Sequence, residues 1–247
     1  KWKETGQHLS QETGLDSDEQ IIRVFVFDNL NVTKNFVLAT NDGYIKQLEL
    51  TNLQPTRTYK SRAMTAIKLK NKDSLLIGVD LINPNDKKEI ILFTHRAYAI
   101  RYDISEIPTS GSKAVGVKSA NLKDDDYIVG YVLVDSQYLD LMHVGLITQR
   151  GAFKQFKLSL VNKVSRAKRG VLVLRELKTK PHRIVALMPY AQDHILHVTT
   201  SSDRHIEIKT NEYPLGDRYS NGSFVIDTTV DGTPTDIELG RPISSQN

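Results

Sequence analysis

Four threonines set the frame of this chain. Thr40, Thr94, Thr148 and Thr200 each close a short apolar run and open a turn, and they stand 54, 54 and 52 residues apart. The runs before them are Phe36-Val37-Leu38-Ala39, Ile90-Ile91-Leu92-Phe93, Val144-Gly145-Leu146-Ile147 and Ile195-Leu196-His197-Val198. After the first three, a small residue follows three places on (Gly43, Ala97, Gly151) and a base heads the next run (Lys46, Arg101, Lys154). A period of this size means copies of one supersecondary unit, none of which buries its apolar surface alone.

A second series interleaves with the first. Arg62-Ala63-Met64-Thr65-Ala66, Ser112-Lys113-Ala114-Val115-Gly116, Arg166-Ala167-Lys168-Arg169-Gly170 and Arg218-Tyr219-Ser220-Asn221-Gly222 share one shape, with starts 50, 54 and 52 residues apart. Each ends on a small residue, carries a base at or next to its start, and leads into a strand-like run. Lys3-Glu4-Thr5-Gly6-Gln7-His8-Leu9 is a diverged fifth copy. The chain begins inside a repeat and without Met, so a longer parent is expected.

The unit is all-β. Residues 36–40, 44–50, 75–79, 90–93, 98–102, 127–134, 141–148, 171–177 and 195–199 are short and rich in β-branched or aromatic residues, the signature of strands. Turn chemistry separates them, as at Asn41-Asp42-Gly43 and Asn83-Pro84-Asn85-Asp86, where Gly, Asn and Pro supply turn dihedrals. About 52 residues hold four strands of ordinary length plus turns. Four-stranded units repeated radially form a propeller-like disc of roughly five blades. The expected division is a partial blade over 1–35, repeats at 36–87, 88–139, 140–193 and 194–240, and a tail at 241–247. WD40 and kelch repeats do not fit, because the only tryptophan is Trp2 and paired glycines are missing.

Composition narrows the function. No run of 18 apolar residues exists, so no transmembrane segment is expected, and the absence of cysteine removes disulfides and thiol chemistry. The net charge of +4 is unevenly spread: residues 145–185 hold eleven Lys or Arg against Glu176 alone, whereas residues 193–247 hold four against nine acids. A localised basic sector is the footprint of a polyanion binder. Arg150, Lys154, Lys157, Lys163, Arg166, Lys168 and Arg169 carry it and are the first candidates for contacts to a polyanion. Lys46, Arg62, Arg101, Lys113 and Lys118 occupy related places in other repeats and come second.

No catalytic constellation appears. There is no phosphate-binding Gly-rich loop and no Gly-x-Ser-x-Gly. His194 and His197 lie three apart in a strand-like run and point to opposite faces, and Asp124-Asp125-Asp126 reads as a polar turn. No metal site and no catalytic residue is expected.

Phe36-Val37-Leu38-Ala39-Thr40-Asn41-Asp42-Gly43-Tyr44-Ile45-Lys46, Ala63-Met64-Thr65-Ala66-Ile67-Lys68-Leu69 and Gly111-Ser112-Lys113-Ala114-Val115-Gly116-Val117 resemble the repeats of the C-terminal domain of type IIA bacterial topoisomerase A subunits. The opening Trp2-Lys3-Glu4-Thr5-Gly6-Gln7-His8-Leu9-Ser10 is similar to the topoisomerase IV type rather than the gyrase type. The resemblance covers essentially the whole chain. It implies a β-pinwheel, a disc whose outer rim binds and bends duplex DNA without itself cutting DNA or using a cofactor. The implied parent is an ATP- and Mg2+-dependent type II topoisomerase built from an A-subunit homodimer and a B subunit, whose DNA-attacking tyrosine lies in another domain. It also implies a cytoplasmic, nucleoid-associated parent, with peripheral membrane association open to it. The gyrase box Gln-Arg-Arg-Gly-Gly-Lys-Gly has no copy here; Arg166-Ala167-Lys168-Arg169-Gly170 and Gln149-Arg150-Gly151 are its nearest fragments. The equivalent gyrase domain stays open as an alternative. So does a propeller whose basic sector binds an acidic protein.

Overall fold

A computed structural model describes residues 15–16, 19–54, 64–123 and 125–243. In chain order its strands are β1 (Asn35–Thr40), β2 (Tyr44–Glu49), β3 (Leu76–Ile82), β4 (Lys88–Thr94), β5 (Tyr98–Asp103), β6 (Val117–Lys118), β7 (Ile128–Asp135), β8 (His143–Thr148), β9 (Ala152–Lys157), β10 (Val171–Leu172), β11 (Ile184–Tyr190), β12 (His194–Thr200), β13 (His205–Lys209), β14 (Ser223–Phe224) and β15 (Pro234–Pro242). They form four antiparallel sheets: β3-β1-β2-β6, β7-β4-β5-β10, β11-β8-β9-β14 and, with three strands among the described residues, β15-β12-β13. Residues 19–34 contain no strand, so the described part of the expected partial blade contributes only Asn35, the first residue of β1.

The recurring threonine builds the first hairpin of each sheet. Thr40, Thr94 and Thr148 each accept the amide of the residue four places on, Tyr44, Tyr98 and Ala152, through Oγ1 at 3.1–3.2 Å. The third residue of each turn is left-handed: Gly43 at φ 81°, Ala97 at 66°, Gly151 at 76°, and Asp203 at 55° in the fourth copy. A hairpin with one left-handed residue at its third position matches the right-handed twist of its strands, which explains the small residue after the first three threonines.

The central run of each repeat reads as continuously apolar because both faces of its strand are covered. Val37 and Ala39 of β1 pack with Ile90, Leu92 and Ile100 of the second sheet. Phe36 and Leu38, on the opposite face, pack with Phe25, Phe27 and Leu30 of the N-terminal segment. The second and third sheets meet through Ile91, Phe93, Val144, Leu146 and Phe156, and the third and fourth through Ile147, Phe153, Leu196 and Ile208. The sheets therefore stack face to face around an axis. Ile77, Val129, Val185 and Thr235 of the four inner strands line a shared central groove. Each inner pairing is bulged beside the repeat threonine, which bends the strand where it meets the axis.

The outermost strand of three sheets is borrowed. β6 pairs with β2, β10 with β5 and β14 with β9, and each is donated by the repeat that builds the next sheet. A repeat of about 52 residues thus straddles two blades. The second sequence series leads into these donated strands, and its closing glycine has a steric reason. Gly116, Gly170 and Gly222 have φ of 95°, 82° and 73°. A Cβ there would stand 2.4, 2.1 and 2.1 Å from the carbonyl oxygens of Ile45, Ala99 and Phe153. Gly170→Ala is expected to cost about 1–3 kcal/mol from the dihedral alone, and more from the clash. A urea titration reads this as a lowered midpoint. An unchanged midpoint would show that β10 does not hold the second sheet.

The run at 171–177 is shorter than its sequence suggests. Only Val171–Leu172 is strand, because Val173 and Leu174 turn into the core as fully buried residues. Strands β6, β9, β11 and β13 to β15 lie outside the expected runs: β6 and β14 have two residues each, β9 is Ala-Phe-Lys-Gln-Phe-Lys, β13 is His-Ile-Glu-Ile-Lys, and β11 and β15 carry proline.

Candidate nucleic-acid interface

Register decides which bases reach the surface. Lys46 stands opposite Leu38, and Lys154 opposite Leu146, on the adjacent strand of the same sheet. The residue in that place in the second sheet is Ile100, opposite Leu92, and Arg101 is one residue further along. Arg101 therefore corresponds to Gln47 and Gln155, and its grouping with Lys46 and Lys154 is corrected by one position.

Both groups serve the joints between blades. Lys46 is 0% exposed and Lys154 2%. Lys46 Nζ donates to the carbonyls of Gly111 (2.6 Å), Ala114 (3.3 Å) and Ser112 (3.5 Å). Lys154 Nζ donates to those of Val173 (2.7 Å), Ser220 (2.8 Å) and Arg218 (3.0 Å). Each ammonium thus pins the loop that leads into the strand donated to its own sheet. Burial lowers the pKa of both, that of Lys154 to about 8.

The next position faces the following blade. Gln47 Nε2 donates to the carbonyls of Ile104 and Ile107 (3.2 and 2.8 Å), and Gln155 Nε2 to those of Thr210 and Tyr213 (2.9 and 2.6 Å). Arg101 does the same to the Val161 carbonyl (2.8 Å) and also forms a short ion pair with the buried Glu89. Lys46, Arg101 and Lys154 are thus inside the blade joints, away from the rim.

Two more first-choice bases hold structure. Lys163 bridges Glu89 (3.3 Å) and Asp103 (3.2 Å). Arg166 donates to the carbonyls of Lys118 and Glu106. Its repeat counterpart Arg218 donates to the Leu172 carbonyl at 2.6 Å, so the arginine at the head of the second series ties one donated strand to the next. Arg62 lies outside the described residues.

Lys113, Lys118, Lys157 and Lys168 are exposed, and their side chains form no ion pair among the described residues. Lys118 is on a donated strand; Lys113 and Lys168 are in the loops that lead into such strands. Arg169 lies over the Tyr98 ring at 4.4 Å, Arg150 over Phe224 at 5.2 Å, and Lys70, with its neighbour Lys68 also exposed, over Tyr44 at 5.7 Å. Each of the first three sheets thus carries an aromatic ring with a cation on its face, on the edge opposite the central groove. Tyr44 and Tyr98 are half-exposed at this edge, whereas Tyr131 packs inward against Gly78. The sequence signal for the row was the residue two places after the small residue of the second series: Lys68, Lys118, Leu172 and Phe224.

Arg150 is also held by the Lys180 carbonyl (2.8 Å) and by Nε2 of His182 (3.3 Å), whose Nδ1 donates to Thr148 Oγ1 (3.2 Å). Burial, then Arg150 and Arg183, lower the pKa of His182, which keeps it neutral and able to accept from Arg150. Along the axis, Asp80 pairs with Arg23 at 3.4 Å among mainly apolar neighbours. No group of three His, Cys, Asp or Glu suited to a metal occurs among the described residues. No helix there is long and apolar enough to cross a membrane.

The profile of the family described as "DNA gyrase C-terminal domain, beta-propeller" matches residues 34–83, 88–135 and 146–190, more than half of the chain and three of the four sheets formed by the described residues. The chain belongs to this family. Within it, the chain is similar to the A subunit of DNA topoisomerase 4 from Bacillus subtilis, with 38% identity over 95% of this chain and 28% of that protein. For its namesake from Streptococcus pneumoniae the figures are 35%, 99% and 31%. The chain therefore spans about three tenths of the length of these relatives. Among solved structures, the C-terminal domain of DNA topoisomerase IV superposes with a TM-score of 0.88 at 36% identity, covering 96% of this chain and 71% of that one. The DNA gyrase A C-terminal domain superposes with a TM-score of 0.75 at 16% identity, over 96% and 76% of the two chains, which speaks for the fold alone. The β-pinwheel that the resemblance implies is thus the fold of this chain, with four sheets described against roughly five blades expected.

Proposed function

We propose that this domain binds duplex DNA along its rim and bends it, as the non-catalytic arm of a topoisomerase IV A subunit that presents a DNA segment to the cleavage core for decatenation and relaxation. The observation that carries the reading is the outer row of exposed Lys68, Lys113, Lys118 and Lys168 together with Arg169 and Arg150 on aromatic faces. Such side chains neutralise phosphates and position a duplex without reading its sequence. Bending a 20–30 base-pair site costs on the order of 1–6 kcal/mol, and stations repeated blade after blade supply contacts that offset it. In the parent, built from paired A and B subunits, ATP and Mg2+ act through other domains.

The test is a titration with random-sequence duplex of roughly 40 base pairs across a salt series, where the log–log slope is about 0.9 per phosphate neutralised. The triple variant Lys113→Glu, Lys118→Glu, Lys168→Glu is expected to weaken binding equally for all sequences and to flatten the slope by about 0.9 for each phosphate no longer neutralised. An unchanged slope would remove the row from the interface. Failure of random duplex to bind at low salt would favour an acidic protein partner instead.

A further inference from the structure

The row changes character at the third sheet. In the first, Tyr44 on β2 stands opposite Lys118 on the donated strand; in the second, Tyr98 stands opposite Leu172. In the third the small residue is inside and the ring outside: Ala152 stands opposite Phe224. Phe224 is 62% exposed, since Ala152 leaves nothing beneath it to cover a ring. Its orientation is nonetheless fixed. The Arg150 guanidinium lies over it at 5.2 Å and the His182 ring at 5.7 Å, and Arg150 is itself tied to the Lys180 carbonyl. A groove of about 710 Å3 runs alongside, bordered by Gln149, Arg150, Lys180 and Asp227.

Charge reverses just beyond this ring. Asp203 in the β12–β13 turn, Glu207 on β13 and Glu212 in the turn after it are exposed, and residues 193–247 hold nine acids against four bases. A duplex continuing along the rim would set its phosphates against these carboxylates.

We propose that Phe224 is a wedge that enters the minor groove of the bound duplex at the third sheet and turns the duplex off the rim before the fourth. An apolar side chain inserted from the minor groove unstacks one base step and kinks the duplex toward its major groove, which is away from the protein carrying the wedge. That is the direction needed to leave a disc whose next sector repels DNA. Arg150 and Lys180 flank the ring where the minor groove, with its negative potential, would receive them. The proposal rests on the DNA-binding reading above.

The experiment compares the chain with Phe224→Ala and Phe224→Lys, the latter giving the third sheet the residue that the first carries. Each is titrated across salt with an end-labelled duplex that reports bend by energy transfer and carries 2-aminopurine at a flexible TpA step. With the unaltered protein, 2-aminopurine brightens on binding. Both variants are expected to lose that brightening and a kink of at least about 20°. The salt slope of the lysine variant is steeper than that of the alanine variant by about 0.9, through an added phosphate contact. Bend and brightening retained in both variants overturn the wedge while leaving rim binding intact. Absence of salt-dependent binding by the unaltered protein overturns the DNA reading and the wedge together. Thermal melts of the three proteins, expected to coincide, show that none has lost its fold.

Discussion

Lys154→Met lowers the unfolding free energy by about 1–3 kcal/mol or more, because the buried Val173 carbonyl and the part-buried carbonyls of Arg218 and Ser220 lose their donor, at roughly 1–3 kcal/mol for a fully buried one. The carbonyls of Val173, Arg218 and Ser220 lie 2.7–3.0 Å from Nζ, and methionine fills the space without offering a proton. Two donated strands are loosened by one substitution: Val173 directly follows β10, and the loop carrying Arg218 and Ser220 leads into β14. Chemical denaturation measures the loss. A change below about 1 kcal/mol, the size of a single ordinary hydrogen bond, would mean that the three contacts do not hold the joint.

The pH dependence separates this lysine from others. Its folded pKa is lowered to about 8, against 10.5 for an unhindered lysine, with burial as the main cause. Between these values the unfolded chain holds the proton longer, so the contribution of Lys154 makes stability rise with pH across this window. The methionine variant lacks that rise, and the difference between the two proteins against pH isolates it. Lys46→Met has a smaller effect, because only the Gly111 carbonyl is close, at 2.6 Å.

Arg101→Met is expected to cost about 3–5 kcal/mol, the usual penalty for stranding a buried charge. Glu89, with its side chain 6% exposed, would keep the Ser136 hydroxyl at 3.2 Å but, as a cation, only Lys163 at 3.3 Å among the described residues, whose own side chain is 45% exposed. The paired change Glu89→Leu with Arg101→Met should recover most of the loss, since replacing a buried ion pair by apolar residues is often neutral. A double variant no more stable than Arg101→Met would show that the hydrogen bond to the Val161 carbonyl, rather than the ion pair, carries the cost. Burial alone would raise the pKa of Glu89, but Arg101 and Lys163 outweigh it and hold it below 4.5. Its stabilisation is therefore full above an ordinary carboxylate pKa and is lost as the pH falls through the lowered folded value.

The repeat was legible because its markers have fixed structural jobs. Thr40, Thr94 and Thr148 cap a turn with Oγ1, and Gly116, Gly170 and Gly222 sit where a side chain would meet a carbonyl, so neither can drift. The candidate interface was less legible for a reason of parity. In a strand, one residue of shift moves a side chain to the other face, and a base at the head of a run does not disclose its face. Lys154 and Lys157 read alike in a basic stretch, yet one is sealed in a blade joint and the other exposed. Arg166 reads as a surface base but is spent on carbonyls that strand donation leaves in need of partners. The donated strands themselves, two residues each, are too short for any periodicity to announce.

Strand donation also gives the disc its mechanics. Lys118 is in the first sheet by hydrogen bonding but in the second repeat by chain connectivity. Tension applied there is therefore shared by β2, through its ladder, and by β7, through the loop that follows. A weight hung on the rim of an ordinary propeller loads a single blade. Here, along the first three sheets, such a weight is suspended between two, so the disc resists peeling where something pulls on those edges.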